Sequence, residues 1–401
     1  MQQNMHSGGR LRSGSTSPRQ GLGNRFAFLG DSTTIGATDH MATPNFTQYR
    51  FSNAWPTYAT HISNGRIRHV ANGAYAATTT VDMLANFDNR ITPYAPTAVA
   101  FCAGTNDITG ASDSIWMNTE YPAYKVRYLA IIAKILGLNA TPIICTIIPN
   151  SQVGESRRYR TQQVNAWLRG LATSRGFPLV DFNKVLINPS NGQFALNMST
   201  DLLHCAPAGL IIQGQYFWDT VKHLVPPNDS LLPLENISNN LLNNGLFLTD
   251  TLGVPTGWTA FGASGALVNT VDPQSDGMLG KWGQSLVTDT VARGLWQTVA
   301  LGSNLAVGDR MAFTGRMSYT YTAGAGTRVV AKCQGINRDF SPLYDCPVSL
   351  PEGTFYREFT VPVGTTPGIA IYLSASQGLA RFSQVGLFNL TKLDIPSIGT
   401  V

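Results

Sequence analysis

The chain has 401 residues, a formal net charge of +5, 43% hydrophobic residues and only 13% charged ones. At about 150 residues per domain it holds two or three domains, each large enough to bury a core, and so low a charge content excludes a coiled coil or a charge-driven disordered chain. Arg10, Arg12 and Arg19 stand without an acid in the first 23 residues, so the rest is nearly neutral and has no basic patch of the kind that tracks phosphates, which excludes nucleic-acid binding.

No apolar run reaches the ~18 residues of a membrane span. The N-terminus lacks an apolar h-region, so a secretory signal is not expected and localisation stays open. Cys102, Cys145, Cys205, Cys333 and Cys346 are odd in number and without CxxC spacing, which excludes a zinc ribbon and a dense disulfide scaffold. Cys333 and Cys346 either pair or are two small semi-buried residues.

In chain order, residues 1–23 read as a flexible arm. Short apolar runs follow at Arg25 to Leu29, Ile67 to Ala71, Thr97 to Ala103, Thr141 to Ile148 and Pro178 to Phe182. They have the length and the β-branched content of buried strands. Helical spacing predicts helices over Tyr121 to Leu136, Arg158 to Ser174 and Ala206 to Val221, the second stopping near Gly176 and the third opened by Pro207. Strands alternating with helices imply βαβ units and a mainly parallel sheet covered on both faces.

The texture changes at Pro226-Pro227-Asn228-Asp229-Ser230, a linker signal. Beyond it no helix is expected. Alternating runs at Met311 to Tyr321, Val329 to Cys333, Phe355 to Val363, Gly368 to Ser374 and Arg381 to Leu390 read as strands of a β-sandwich or jelly roll. The expected organisation is therefore an arm (1–23), an α/β domain (24–225), a linker (226–235) and an all-β domain (236–401).

Three segments carry chemistry. A strand that ends in Gly30-Asp31-Ser32 places a hydroxyl at the carboxyl edge of a parallel sheet, where ligands bind. The bland alternative is ordinary turn chemistry. A second strand runs into Gly104-Thr105-Asn106-Asp107 and brings a side-chain amide to the same edge, a good oxyanion donor unless it only caps the next helix. Asp201-Leu202-Leu203-His204 precedes the last helix. Asp201 can orient the imidazole while His204 takes the serine proton. His6 and His40 fit a surface role, and His61, His69 and His223 show no such partner.

The ordered blocks Phe28 to Thr33, Val70 to Gly73 with Thr78 to Thr80 following, Gly104 to Asp107 and Asp201 to His204 resemble the SGNH (GDSL-type) hydrolase family over roughly residues 24–225. The resemblance implies a flavodoxin-like three-layer α/β/α fold and a serine esterase mechanism. Ser32, His204 and Asp201 would be catalytic, and the Ser32 and Gly73 N–H groups with the Asn106 amide would form the oxyanion hole. Asp31 is a further candidate substrate contact. Two departures stand out: Ala76 and Ala77 replace a second glycine often seen after the second block, and Cys205 replaces the common proline after the histidine. Cys205 is also a rival thiol nucleophile on paper.

The stretches Asn240 to Phe247, Pro255 to Trp258 and Phe382 to Phe388 resemble the first and last strands of jelly-roll carbohydrate-binding modules. Trp258, Trp282, Trp296, Tyr319, Tyr321 and Tyr344 are candidates to stack on sugars, Trp258 and Trp296 foremost, or else fill the core. The insertion from His40 to His61, with Phe46, Tyr49, Phe51, Trp55 and Tyr58, is a candidate acyl slot. Together these resemblances imply an esterase that removes O-acetyl groups from an acetylated polysaccharide, and they extend to phage tail-associated proteins, with a virion tail partner or a homo-oligomer. The alternatives are an esterase or lipase on lipid or small esters, and a non-catalytic glycan-binding or structural tail protein. No metal or organic cofactor is implied.

Overall fold

The computed structural model describes residues 21–35, 45–49, 55–109, 112–152, 154–199, 201–227, 232–233, 239–262, 268–273, 279–289, 291–322, 328–335 and 349–395. The expected arm up to residue 20, most of the expected linker, His6, His40, Phe51, Tyr344 and Cys346 lie outside them.

The first half contains β1 (Arg25–Gly30), α1 (Ser32–Ile35), β2 (Asn45–Tyr49), α2 (Trp55–Ile62), β3 (Arg68–Asn72), α3 (Thr80–Arg90), β4 (Ala98–Cys102) and α4 (Asp113–Ile115). It continues with α5 (Tyr121–Gly137), β5 (Thr141–Cys145), α6 (Glu155–Arg175), β6 (Leu179–Val180), α7 (Phe182–Leu186), β7 (Ile187–Asn188), β8 (Gln193–Phe194) and α8 (Pro207–Val221). The strands β3-β1-β4-β5-β6 are parallel neighbours, the 2-1-3-4-5 order of flavodoxin-like sheets.

A strand covered on both faces needs apolar residues at every position. Phe26, Phe28, Ala98, Ala100 and Cys102 pack one face against Trp55, Phe182 and Phe217 of α2, α7 and α8. Ala27, Leu29, Val99 and Phe101 pack the other against Phe87, Tyr128 and Val164 of α3, α5 and α6. The expected three layers are present. The expected helices appear within a few residues of their limits, with Gly176 ending α6 at φ 68°.

The deviations have local causes. α2 shows no helical stripe because all its residues but Ile62 are buried, which leaves no polar face to mark the period. Trp55 and Tyr58 belong to this core, Trp55 against Phe28, Phe182 and Phe217. They are therefore not free to line an acyl slot, and that expectation is corrected for these two residues. α3 buries only Thr80, Met83 and Phe87, too few for a readable pattern. The run from Pro178 to Phe182 splits after Val180, because the Asp181 side chain accepts the Lys184 N–H and starts α7.

The second half contains β9 (Asp250–Thr251), β10 (Val254–Pro255), β11 (Thr259–Phe261), β12 (Val268–Pro273), β13 (Lys281–Val287) and β14 (Arg293–Ala300). After these come β15 (Arg310–Tyr321), β16 (Arg328–Gly335), β17 (Leu350–Thr360), β18 (Gly368–Ser376) and β19 (Gly378–Asn389). No helix occurs here among the described residues. β12-β13-β19-β15-β17 form one antiparallel array and β11-β14-β18-β16 another. Leu295, Ile371 and Leu373 of the second array join Met311, Phe313, Val385 and Leu387 of the first in one core. β11 to β14 were not foreseen as strands.

The two halves interlock. β17 pairs in parallel with β3 through Arg357 and His69, which makes one ten-stranded sheet. β2, from the first half, is the edge strand beside β16. Arg25 Nη1 donates to Glu358 Oε1 at 2.9 Å with both side chains under 10% exposed. His61 Nε2 lies 2.7 Å from the Pro351 carbonyl, and its burial lowers its pKa to about 4, so the ring is neutral and donates there. His61 and His69 are core histidines of this junction.

Candidate active site

Ser32 follows β1 with only Asp31 between them. A Cβ on Gly30 would stand 2.5 Å from Thr34 Oγ1 and 2.7 Å from the Cys102 carbonyl, so only glycine lets the chain turn here. The Asp31 side chain turns inward, fully buried, and its Oδ1 accepts the Thr33 N–H at 2.9 Å and the Thr33 hydroxyl at 2.7 Å. Burial pushes its pKa up against those hydrogen bonds. A carboxyl in this position cannot touch a polysaccharide, and the expectation that Asp31 contacts substrate is corrected: it braces the turn that presents Ser32.

The serine meets its base across 172 residues of sequence. His204 Nε2 lies 2.9 Å from Ser32 Oγ, and His204 Nδ1 lies 2.6 Å from Asp201 Oδ2. A carboxylate only accepts, so Nδ1 carries the proton and Nε2 is the free lone pair that accepts the serine hydroxyl. The other carboxylate oxygen accepts the N–H groups of Leu203 at 2.9 Å and His204 at 2.6 Å. Partial burial raises the Asp201 pKa, but hydrogen bonds from the His204 ring and from these two N–H groups outweigh it and bring it down to about 2. Asp201 is thus an anion at every pH where an imidazole can serve as base.

Asn106 is carried by a turn that starts at Gly104, φ 131°, where a Cβ would stand 2.6 Å from Ile147. Its Nδ2 donates one hydrogen to the Thr78 carbonyl at 2.9 Å, which leaves the second for a ligand. Asp107 beside it accepts the Thr80 N–H at 3.0 Å and the Thr80 hydroxyl at 2.5 Å, and Arg127 Nε donates to the same hydroxyl at 2.8 Å. Thr80 and Arg127 therefore pin the Asn106 loop to α3. Thr80 closes the second block of the resemblance, whereas Arg127 did not stand out in the sequence, where a lone Arg carries no signal.

Gly73 departs from expectation. Its N–H donates to the Phe28 carbonyl at 2.7 Å. That group extends the sheet and is spent, so its expected oxyanion role is corrected. The Ser32 N–H, first in α1, has no intrahelical acceptor. Downstream of Gly73, Ala77 lies at φ 58° where the family resemblance led one to look for a glycine. A Cβ in that region costs roughly 1–2 kcal/mol, partly offset by the extra freedom that glycine has when unfolded. Ala77→Gly is therefore expected to raise stability by about 0.5–1 kcal/mol. Denaturant unfolding checks this, and a loss of stability would contradict it.

The remaining candidates sort by burial. Cys205 is buried, which pushes its thiol pKa up and removes it as a nucleophile. Trp258 is buried and donates Nε1–H to the Asn243 carbonyl, and Trp282 and Tyr319 are buried too. These three are core residues, which corrects the expectation for Trp258 as a sugar contact. Trp296 and Tyr321 stay half-buried, and Trp296 stacks on Tyr372 with ring centroids 6.0 Å apart. The burial of Phe46 and Tyr49 side chains lies outside the described residues. Cys333 is a buried free thiol. Among the described residues no group of His, Cys, Asp and Glu could hold a metal, and no helix is long and apolar enough to cross a membrane.

A hydroxyl, an imidazole and a carboxylate stand in one hydrogen-bonded line at the carboxyl edge of a parallel sheet, the arrangement that serine hydrolases use. Residues 28–210 match the model of the GDSL-like Lipase/Acylhydrolase family. That segment, a little under half of the chain, is thus similar to a family of lipases and acylhydrolases. Solved structures similar to it include a GDSL-like lipase from Bacteroides thetaiotaomicron, with 17% identity, TM-score 0.39, and coverage of 50% of this chain and 88% of that one. Another is a variant acetyl xylan esterase from Geobacillus stearothermophilus, with 17% identity, TM-score 0.42, and coverage of 52% and 99%. These likenesses are too distant to speak to a substrate. Comparison with curated proteins finds no match.

Proposed function

We propose that the chain is a serine esterase that removes short acyl groups, O-acetyl above all, from a polysaccharide. The Ser32–His204–Asp201 line carries this reading. Ser32 Oγ attacks the ester carbonyl while His204 Nε2 takes its proton, and Asp201 stabilises the imidazolium. The oxyanion is met by the Ser32 N–H and the second Asn106 amide hydrogen. His204 returns the proton to the leaving alcohol. A water, deprotonated by the same nitrogen, then attacks the acyl-enzyme, releases the carboxylic acid and restores Ser32.

A sugar substrate is supported by the strand-rich second half and by Trp296, half-buried and paired with Tyr372 on adjacent strands β14 and β18. The tail-associated setting rests on resemblance alone. The test is a series of p-nitrophenyl esters from acetate to octanoate, followed by acetylated polysaccharides. Acetate cleaved best, with acetate released from a polysaccharide, is the expected result. Preference for octanoate would turn the reading toward lipid esters, and no turnover toward a glycan-binding protein.

A further inference from the structure

The segment that carries Asp201 and His204 is bent through Leu202, at φ 68°. A residue with a side chain occupies that region at a cost of roughly 1–2 kcal/mol and stays there only where its surroundings impose it. The Leu202 side chain does not impose it, being 52% exposed. Inside the loop Asp201 Oδ1 holds the Leu203 and His204 N–H groups, and from outside it three donors hold the backbone carbonyls. Gln152 Nε2 donates to the Asp201 carbonyl at 2.6 Å, the Ser151 N–H to the Leu202 carbonyl at 2.8 Å, and the Ser199 hydroxyl to the His204 carbonyl at 2.6 Å. The donors are themselves held. Ser151 Oγ accepts the Phe194 N–H at 3.0 Å, and the Gln152 N–H donates to Asn150 Oδ1 at 3.1 Å.

We infer that Gln152, Ser151 and Ser199 form a clamp that forces the left-handed turn at Leu202 and so positions Asp201 against His204 Nδ1. They are positioning residues, each acting on a backbone carbonyl of the catalytic segment. Without the clamp Leu202 relaxes toward negative φ and the carboxylate swings off the imidazole. Glycine at 202 adopts φ 68° unaided, so the clamp and the residue at 202 are coupled.

The inference rests on the esterase reading only for its kinetic readout, and a spectroscopic one stands apart from it. Gln152→Met keeps the side-chain length and loses the donor. It is expected to lower kcat for p-nitrophenyl acetate by about 10- to 100-fold with KM unchanged. It is also expected to abolish the low-field proton NMR signal of the His204 Nδ1–H held by Asp201. Leu202→Gly in the same background should recover most of the lost kcat. Ser199→Ala serves as a second, independent opening of the clamp, and circular dichroism reports that each variant is folded. An unchanged signal and unchanged kcat in both folded variants would overturn the clamp, as would failure of Leu202→Gly to recover kcat. If the wild type hydrolyses no ester but the signal still vanishes in Gln152→Met, the clamp stands and the esterase reading falls.

Discussion

Ser32→Ala is expected to lower kcat by on the order of 10⁴- to 10⁶-fold, the range seen when a member of such a triad is removed. The argument is geometric. Ser32 Oγ is the hydroxyl that faces His204 Nε2, at 2.9 Å, and Cys205, the rival nucleophile beside it, is buried with its thiol held protonated. His204→Ala should cost nearly as much, and the double variant little more than either single one, because the groups act as a unit. Steady-state kinetics on p-nitrophenyl acetate, with fluorophosphonate labelling of Ser32 as a second readout, checks this. A Ser32→Ala enzyme within tenfold of wild type would remove the serine mechanism. Equal losses that multiplied in the double variant would show that the two residues do not work together.

The second large effect concerns the chain's integrity. A fragment ending at Pro227 is expected not to fold as a cooperative unit. It would leave β2 without β16 and β3 without β17, and it would uncover the α2 surface that packs on β17. It would also strand the Arg25 guanidinium, 7% exposed, without Glu358. Removing one partner of a buried ion pair alone costs about 3–5 kcal/mol, against a total stability of about 5–15 kcal/mol. Loss of the shared apolar core adds to that. The expected result is an insoluble fragment, or one without a cooperative thermal transition and without labelling of Ser32. A soluble fragment that melts cooperatively and hydrolyses esters at the full-length rate would show that the interlocking is dispensable.

This interlocking bears on how the site is built. The chain leaves the Ser32 turn through α1 and reappears as β2, which pairs with β16 of the second half, before it returns as α2 to the core under β1. The nucleophile and the second half are thus tied by chain connectivity as well as by packing.

Much of this was legible in the residues themselves. β1 after its first residue, Arg25, and β4 throughout are short and free of polar side chains, β1 ending at the glycine of Gly-Asp-Ser and β4 running through Ala103 into Gly-Thr-Asn-Asp. A buried parallel strand and the turn at its carboxyl edge leave that imprint locally, because burial on both faces admits no polar residue and the turn demands glycine. Asp201 and His204 were legible for a similar reason. They stand three positions apart, and the hydrogen bonds that join them are made inside one loop.

What stayed hidden depends on partners distant in sequence. α2 carries no periodic stripe because the second half covers the side that would otherwise meet water. Gly73 looked like an oxyanion donor until the Phe28 carbonyl, brought alongside by strand pairing, took its N–H. Asp31, Trp258 and Cys205 are polar, aromatic and nucleophilic by type, and all three are buried by neighbours that no local pattern names. Two arms of the clamp, from Gln152 and Ser151, join residues about fifty positions apart through backbone carbonyls, which every residue has. The sequence by itself determined which side chains are candidates for the chemistry and the strand-edge turns that present them, since those follow from local burial and turn geometry. Tertiary structure alone decided which backbone groups remain free to act, because hydrogen-bond satisfaction is settled between segments brought together by folding.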